Sequence, residues 1–589
     1  INTANVSGED ELGNTHTDSD DAEVRLTDAF IVINKSFVSA SEPDVDGNFT
    51  ATYVLTVHNS GGASTFYDLE DEPKLDTNIT VNSAAVTGYV VTNFVGSGPY
   101  LITTNEPIAG AATHIYTLVL DLSLQDQVLS GDVSISLCGE GSTGSAAGEG
   151  LFNEMTVTYG TNNTTVTTND CGNIQPFLLL DKTFVSASEP DQDGNFSATY
   201  TITVRNVGAT SGIYSLDDTP APDTNITVNG ASVTGQITNN YVGAGPYSLA
   251  TGESIGAGAT HSYTLVVSLT LQDQVLLGAA SVSLCEEGEV GYLAGYGLFN
   301  EVTLVYGTNE TTITDDDCGE IPPFLIPVKT FVSASEPDED GNFQVVYTVT
   351  VQNTGGSAGS YDLVETPGFD TNVTVLGGAV SGEVSDTLVG AGPYTIVTNK
   401  SIGAGETQSY TITLDAQLSL AVISGIISVS ECEEVQGIRV SGNGLFNEVS
   451  ITYGTNNTTV TTNDCGNIQP FLLLDKTFVS ASEPDQDGNF SATYTITVRN
   501  VGGTTGTYDL DDTPAPDTNV TVNGAAVSGQ ITTNYTGAGP YELASGTAIG
   551  VGATHSYTLV VSLTLQDQIL SGAVSVSLCE EGQSGFEAN

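Results

Sequence analysis

The phrase KSFVSASEP at Lys35 returns as KTFVSASEP at Lys182, Lys329 and Lys476, 147 residues apart each time with no net insertion or deletion. Four such periods make 588 residues, one fewer than the 589 of the chain. A period this long exceeds that of solenoid repeats and suits a globular domain, so the chain reads as tandem domains. Copies two and four are identical from Thr161 to Gly208 and from Thr455 to Gly502, which points to recent duplication.

Within one copy the strands follow in order. FLLLDKTFVSAS (Phe177–Ser188) is a first strand and NFSATYTITVRNVG (Asn195–Gly208) a second with clean two-residue alternation. GIYSLDD, ITVNGASVTGQIT, HSYTLVVSLTL and ASVSLC come next, and the pair NEVTLVYG and TTITDDDC closes the copy. Seven to nine short strands rich in Val, Thr, Tyr and Ile, broken by Gly, Pro and Asn turns, predict a two-sheet β-sandwich. The fold class is all-β, a tandem array circularly permuted at the chain ends. Residues 1–28 read as the end of a sandwich, followed by repeats at 29–175, 176–322, 323–469 and 470–589, the last without its closing strands.

The stretches DKTFVSASEP, FSATYTITVRNVG and YDLDDTPAPDTNVTV resemble the "conserved repeat domain" found in tandem on prokaryotic surface proteins, a domain of unknown function. Its aromatic-centred YTITVxNxG strand stands here at Tyr53–Gly61, Tyr200–Gly208, Tyr347–Gly355 and Tyr494–Gly502. The resemblance covers all four copies and implies an immunoglobulin-like fold, a cell-surface location and structural or adhesive use, without naming a ligand. A Cys pair in each copy is not part of that family's pattern.

Charge narrows the partners. Ten Lys and Arg face 71 Asp and Glu, a net charge of -61. Such a surface repels nucleic acid and anionic membranes and attracts cations. Solubilising acidity of the halophile kind is a further account of the charge, and it predicts acid spread evenly over the surface rather than gathered at turns. No apolar run approaches the ~20 residues needed to span a bilayer. The chain opens at Ile1 without a signal-peptide pattern, which fits either a processed end or a cut in something longer.

Six of the seven Cys pair at one spacing: Cys138 with Cys171, Cys285 with Cys318, and Cys432 with Cys465, each 33 apart. In each pair two segments ending at one pole of a sandwich suit a disulfide, worth roughly 3–4 kcal/mol on the loop-entropy model. Zinc is the alternative, but no CxxC or nearby His supplies four ligands. Disulfides imply an oxidising, extracellular setting. Sequons at Asn78, Asn163, Asn225, Asn372 and Asn519 would fit a glycosylated surface. Cys579 is left without a partner.

The two ends complement each other. INTANVSG at Ile1 resembles the closing strand FNEVTLVYG (Phe299–Gly307), and AEVRL continues like the last strand. In one account Ile1, Asn2, Ala4 and Val6 of one molecule join its neighbour by completing the fourth sandwich, building a head-to-tail polymer with itself as partner. In the other, the chain is a stretch of a longer stalk whose next residues supply the strands. Cys579 favours the second, since residues 1–28 hold no Cys.

The acidic turn SEPDxDGNF recurs in every copy. Asp-Gly supplies the positive φ of a tight hairpin, but crowded carboxylates also resemble part of a calcium loop. The first-choice calcium ligands are Asp44, Asp46, Asp191, Asp193, Asp338, Asp340, Asp485 and Asp487, with Asp76, Asp223, Asp370 and Asp517 behind them. A solvated turn is the equal alternative.

Catalytic chemistry finds no support. His114, His261 and His555 share one repeat position that holds Gln408 in the third copy, as suits a strand-face residue rather than a base. GEGSTG (Gly139–Gly144) has no helix after it to bind phosphate and reads as a loop. The chain is therefore expected to be an extracellular structural protein, a filament subunit or else the stalk of an adhesin, and not an enzyme.

Overall fold

The computed structural model describes residues 2–23, 28–139, 145–435, 438–579, 581–582 and 585–586. Alternation makes its strands. In Asn48–Asn59 every second side chain from Phe49 to Val57 is buried, and the residues between them stay part-exposed. A strand with one buried face needs a second sheet to cover it, and the sequence supplies one.

In the first repeat the elements are β3 (Ile31–Ala40), β4 (Asn48–Asn59), β5 (Thr65–Pro73), β6 (Ile79–Gly88), β7 (Thr92–Val95), β8 (Tyr100–Ile108) and β9 (Thr113–Leu124), after a hairpin of β1 (Asn2–Glu9) and β2 (Thr15–Ala22). A single helical turn α1 (Asp126–Leu129) follows, and β10 (Asn153–Tyr159) and β11 (Thr164–Asp170) close the repeat. The sheets run β3-β4-β9-β6-β7 and β11-β10-β5-β8, all antiparallel neighbours. The same two orders recur in the second and third repeats. The chain is thus a set of tandem antiparallel β-sandwiches, the expected class.

Two expectations need correction. The stretch ending at the first Cys of each pair is not a strand: Val133–Cys138 belongs to no sheet. Its N–H groups go elsewhere, Ile135 to the Val207 carbonyl (3.1 Å), Ser136 to the Asp76 carboxylate (2.8 Å) and Cys138 to the Asn173 side chain (2.9 Å). Conversely, β7 and β8, and their counterparts in the later copies, were not among the expected strands. Their Gly- and Asn-rich surroundings mask two short strands.

The YTITVxNxG motif has a physical basis. Asn206 is fully buried, and its amide donates to the carbonyls of Thr210 (2.8 Å) and Gly256 (3.2 Å) while its oxygen accepts from the N–H of Gly208 (3.1 Å). One side chain ties two loops together. Gly208 lies so close to the backbone of Gln175–Phe177 that a Cβ there would overlap it.

Two compact units divide the chain, 1–272 with 283–321 and 273–282 with 322–589, each holding two sandwiches. Within the first unit the core of the first sandwich runs on through Ile135, Ile174, Phe177, Val207 and Ala209 into the start of the second. Arg205 clamps that junction by donating to the Gly131 carbonyl and to Ser134 (3.4 Å). The Glu42 carboxylate accepts the N–H groups of Thr308 (2.7 Å) and Asn309 (3.1 Å) from the second sandwich. In the second unit Val429, Ile468, Phe471 and Val501 share one core, and Arg499 repeats the clamp on Gly425 and Ser428.

Replacing Asn206 with Ala leaves buried carbonyls and an N–H unpaired. Asn206→Ala is expected to destabilise the second sandwich by about 2–3 kcal/mol, read as a lower urea midpoint for its transition.

Candidate functional site

The fourth repeat builds its five-stranded sheet in full, from Leu472–Ala481 to Thr533–Thr536. The facing sheet has two strands, Gly506–Asp512 and Tyr541–Ile549, where the other three sandwiches have four. Among the described residues nothing pairs the far edge of Gly506–Asp512, the edge that β10 covers on β5 in the first repeat.

Side chains report the same gap. Phe37, Phe184 and Phe331 each lie under a glycine of the closing segment, Gly172, Gly319 and Gly466, at positions where a Cβ would collide with the ring. Their counterpart Phe478 is 57% exposed. Tyr53, Tyr200 and Tyr347 are fully buried, whereas Tyr494 is only partly so. An apolar slot flanked by an unpaired strand edge is a site for an incoming hairpin.

The amino-terminal hairpin has matching geometry. Asn2 pairs with Ala22 and Val6 with Asp18; laid on the closing pair from its first residue, they fall where Asn153 pairs with Asp170 and Val157 with Val166, with a connecting segment three residues longer. Every residue of β1 and β2 is exposed, so its apolar members have no core. Aligned this way, Asn2 and Val6 fall on the inward positions of Asn153 and Val157. Ala4 falls where Met155 is buried, and Gly8 where the closing strand has Tyr159. Ile1 and the stretch 24–27, to which the closing-strand resemblance also extends, lie outside the described residues, as do residues 140–144 of the GEGSTG loop.

The three expected disulfides are formed, with Cα–Cα distances of 5.9 Å, 6.0 Å and 6.0 Å for Cys138–Cys171, Cys285–Cys318 and Cys432–Cys465. Cys579 is free and exposed.

The turn aspartates work on the backbone. One oxygen of Asp44 accepts the N–H groups of Asp46 (3.0 Å) and Asn48 (2.8 Å), and the Gly47 N–H closes the turn on the Asp44 carbonyl (2.9 Å). Gly47 has φ 79°, a conformation in which a Cβ would also meet Leu129. Asp191, Asp338 and Asp485 repeat this turn, while Asp46, Asp193, Asp340 and Asp487 each supply an N–H to it. The second-choice group ties a loop to the segment before the first Cys. Asp76, Asp223 and Asp370 each accept the N–H of a serine (Ser136, Ser283, Ser430) at 2.8 Å, and Asp517 that of Ser577 at 2.6 Å. Among the described residues no three His, Cys, Asp or Glu side chains gather closely enough to hold a metal ion. As placed, these carboxylates serve the turn and the loop.

The shared His position is a hydrogen-bond partner. Tyr67 meets His114 Nδ1 (2.7 Å) and the hydroxyl of Tyr116, and in the third copy Tyr361 donates to Gln408 Oε1 (2.7 Å). Burial lowers the His114 pKa, and the uncharged Gln408 stands at the same place in the third copy.

One cluster escaped the sequence. Lys35 on β3 reaches across the core to Asp71 on β5, and both side chains are fully buried. Lys182–Asp218 and Lys329–Glu365 repeat the pair, with 2.7 Å from Lys329 Nζ to each Glu365 oxygen. Burial pushes each lysine down and each acid up, opposed by the charge of its partner. Asn153, Asn300 and Asn447 on the closing strand face these acids and are equally buried. Asn447 donates to Glu365. Asn153 and Asn300 oppose the shift of their acids, yet neither amide atom completes a hydrogen bond. In the fourth sandwich Lys476 still meets Asp512, but the lysine is 40% exposed. The available signal was that four of only ten basic residues stand at one repeat position, mid-strand.

No protein-family model matches the chain, and no curated protein matches it. Among solved structures it is similar to "Biofilm associated protein - BSP domain", at 10% identity over 94% of this chain and 92% of that one, with a TM-score of 0.18. A second, "Biofilm associated protein - B domain", matches at 10% identity over 49% of this chain and 84% of that one, with a TM-score of 0.14. "Escherichia coli alpha-2-macroglobulin activated by porcine elastase" matches at 9% identity over 96% and 43%, also at 0.14. At such scores these likenesses carry no functional argument.

Two outcomes are expected. In the monomeric protein, amides of Gly506–Asp512 should exchange with deuterium faster than those of Gly212–Pro220, which is paired on both sides. The second concerns pH. Hydrogen bonds from Asn342 hold the Asp338 pKa below its ordinary 3.8. A depressed carboxylate stabilises the fold above 3.8 and loses that effect as pH falls through the folded value. Asp338→Ala should therefore lower the melting temperature at neutral pH, and the difference should shrink in acid.

Proposed function

We propose that the chain is a structural protein of the cell exterior, in which tandem sandwiches are joined end to end by a hairpin entering the open fourth sandwich, and that it is not an enzyme. The observation that carries this reading is the two-stranded sheet of the fourth repeat, with its bare Phe478 and half-exposed Lys476. Three disulfides support an oxidising, extracytoplasmic setting. The clamps of Arg205 and Arg499, with shared core at each junction, suit a chain that transmits load between neighbouring domains. Among the described residues no helix is long and apolar enough to cross a membrane.

The donor in this reading is the Asn2–Ala22 hairpin of a second copy, an antiparallel pair that brings an inward Asn2 and Val6 when laid on the closing pair. The contact is heterologous and does not close, so it propagates as a fibre. A second source has its own support. Ala4 and Gly8 fill the slot less well than Met155 and Tyr159 fill theirs, and Cys579 awaits a cysteine that residues 1–28 lack. A further repeat in the same chain would supply both, making this the stalk of a larger adhesin.

Negative-stain electron microscopy of the purified chain separates the two. Self-donation predicts filaments that vanish when residues 1–28 are deleted. Single particles at every concentration, unchanged by the deletion, would overturn self-donation and leave the stalk.

A further inference from the structure

The Lys–acid–Asn cluster holds every component of an amide-forming reaction. A buried lysine is an ordinary stabilising ion pair only when its surroundings answer the charge fully. Here each lysine has one carboxylate, an aromatic ring (Tyr53, Tyr200 or Tyr347, with Nζ 5.1, 5.0 and 4.7 Å from the centroid) and the closing-strand asparagine. Two of those asparagines, Asn153 and Asn300, leave both side-chain polar atoms without a hydrogen bond, and Asn447 leaves its oxygen so. Buried carboxamides are nearly always satisfied, so three unsatisfied ones at one repeat position need an explanation. Lys35 Nζ also lies 3.5 Å from the carbonyl of Glu154, the residue after Asn153, which puts the amine at the closing strand.

We infer that Lys35 and Asn153, Lys182 and Asn300, and Lys329 and Asn447 are sites of intramolecular isopeptide bonds, formed with Asp71, Asp218 and Glu365 as the proton-transferring groups. Burial favours the uncharged forms of lysine and acid, so a proton passes from Nζ to the carboxylate. The free amine attacks the asparagine Cγ while the carboxyl group protonates the carboxamide. The Nζ–Cγ bond forms, the Cγ–Nδ2 bond breaks, and ammonia leaves with the proton that Nζ gives up. The carboxyl group ends as it began, and no oxidant or cofactor is needed. Held geometry replaces an enzyme, since reactants fixed beside one another gain a large effective concentration.

The asparagine, not the acid, is the electrophile. The acid is Asp in two complete copies and Glu in the third, a change that moves its carboxyl carbon by one methylene, while lysine and asparagine never vary. A proton carrier tolerates that shift. A carbon that must be bonded does not. Covalent joining of the first strand β3 to the closing strand β10 makes each sandwich a loop that force along the chain cannot unthread. The fourth lysine, Lys476, has no closing-strand asparagine among the described residues and serves as the internal control. The inference does not depend on what completes the fourth sandwich.

Intact-mass spectrometry of the reduced, denatured monomer tests it. The mass should fall short of the sequence by three ammonias, and peptide mapping should find Lys35, Lys182 and Lys329 each in a branched peptide with its asparagine, with Lys476 unmodified. Lys182→Ala and Asn300→Ala should each restore one ammonia. Asp218→Ala should leave Lys182 and Asn300 present but unjoined, and Asp218→Glu, the arrangement of the third copy, should keep the bond. A mass equal to the sequence after reduction would overturn the proposal whatever the variants do. A deficit of one water per sandwich would overturn it too, placing the bond on the acid.

Discussion

A lysine in the dry interior of each of the first three sandwiches sets the terms for the rest of the structure. Lys35 hangs from the first strand of one sheet and needs a carboxylate from the other, so the pair fixes how the two sheets face. Apolar packing alone tolerates sliding; a buried charge beside one acid does not. The closing hairpin then covers the pair, because the asparagine that faces it sits on β10. The fourth sandwich shows the converse. Without that hairpin Lys476 is opened to water and Phe478 stands bare, although the five-stranded sheet behind them is intact.

Continuity between neighbours follows from small parts. The chain leaving α1, like that leaving the matching turn Leu420–Ile423, joins no sheet; it donates to the next sandwich of its unit, Ile135 to Val207 and Val429 to Val501. Arginine clamps and shared apolar side chains lie over those bonds. A protein with ten cations and 71 acids has placed three cations inside its sandwiches and two at these junctions. The charge left on the surface is therefore mostly acidic.

Much of this was legible from residues. Cysteines 33 apart at a fixed place in the period gave the disulfides, because two segments ending at one pole must approach. Asp-Gly in SEPDxDGNF gave the turn, because positive φ demands glycine. The swap of His for Gln408 correctly marked a strand-face residue, since both meet the same tyrosine hydroxyl. The segment ending SVSLC was misread as a strand because alternation cannot distinguish a ladder from an extended linker whose N–H groups find side chains instead. The buried lysine was missed for a related reason: a charged residue in an alternating strand is read as facing water.

By itself the sequence determined the four-fold period, the all-β class and the cysteine pairing. Each is a local or counting property, carried by alternation, turn chemistry and spacing. Only the tertiary structure decided that Lys35 points inward to Asp71 and Asn153, residues 36 and 118 positions away along the chain. Meetings of that kind depend on which strands the two sheets bring face to face, and no pattern within a single strand encodes its partner.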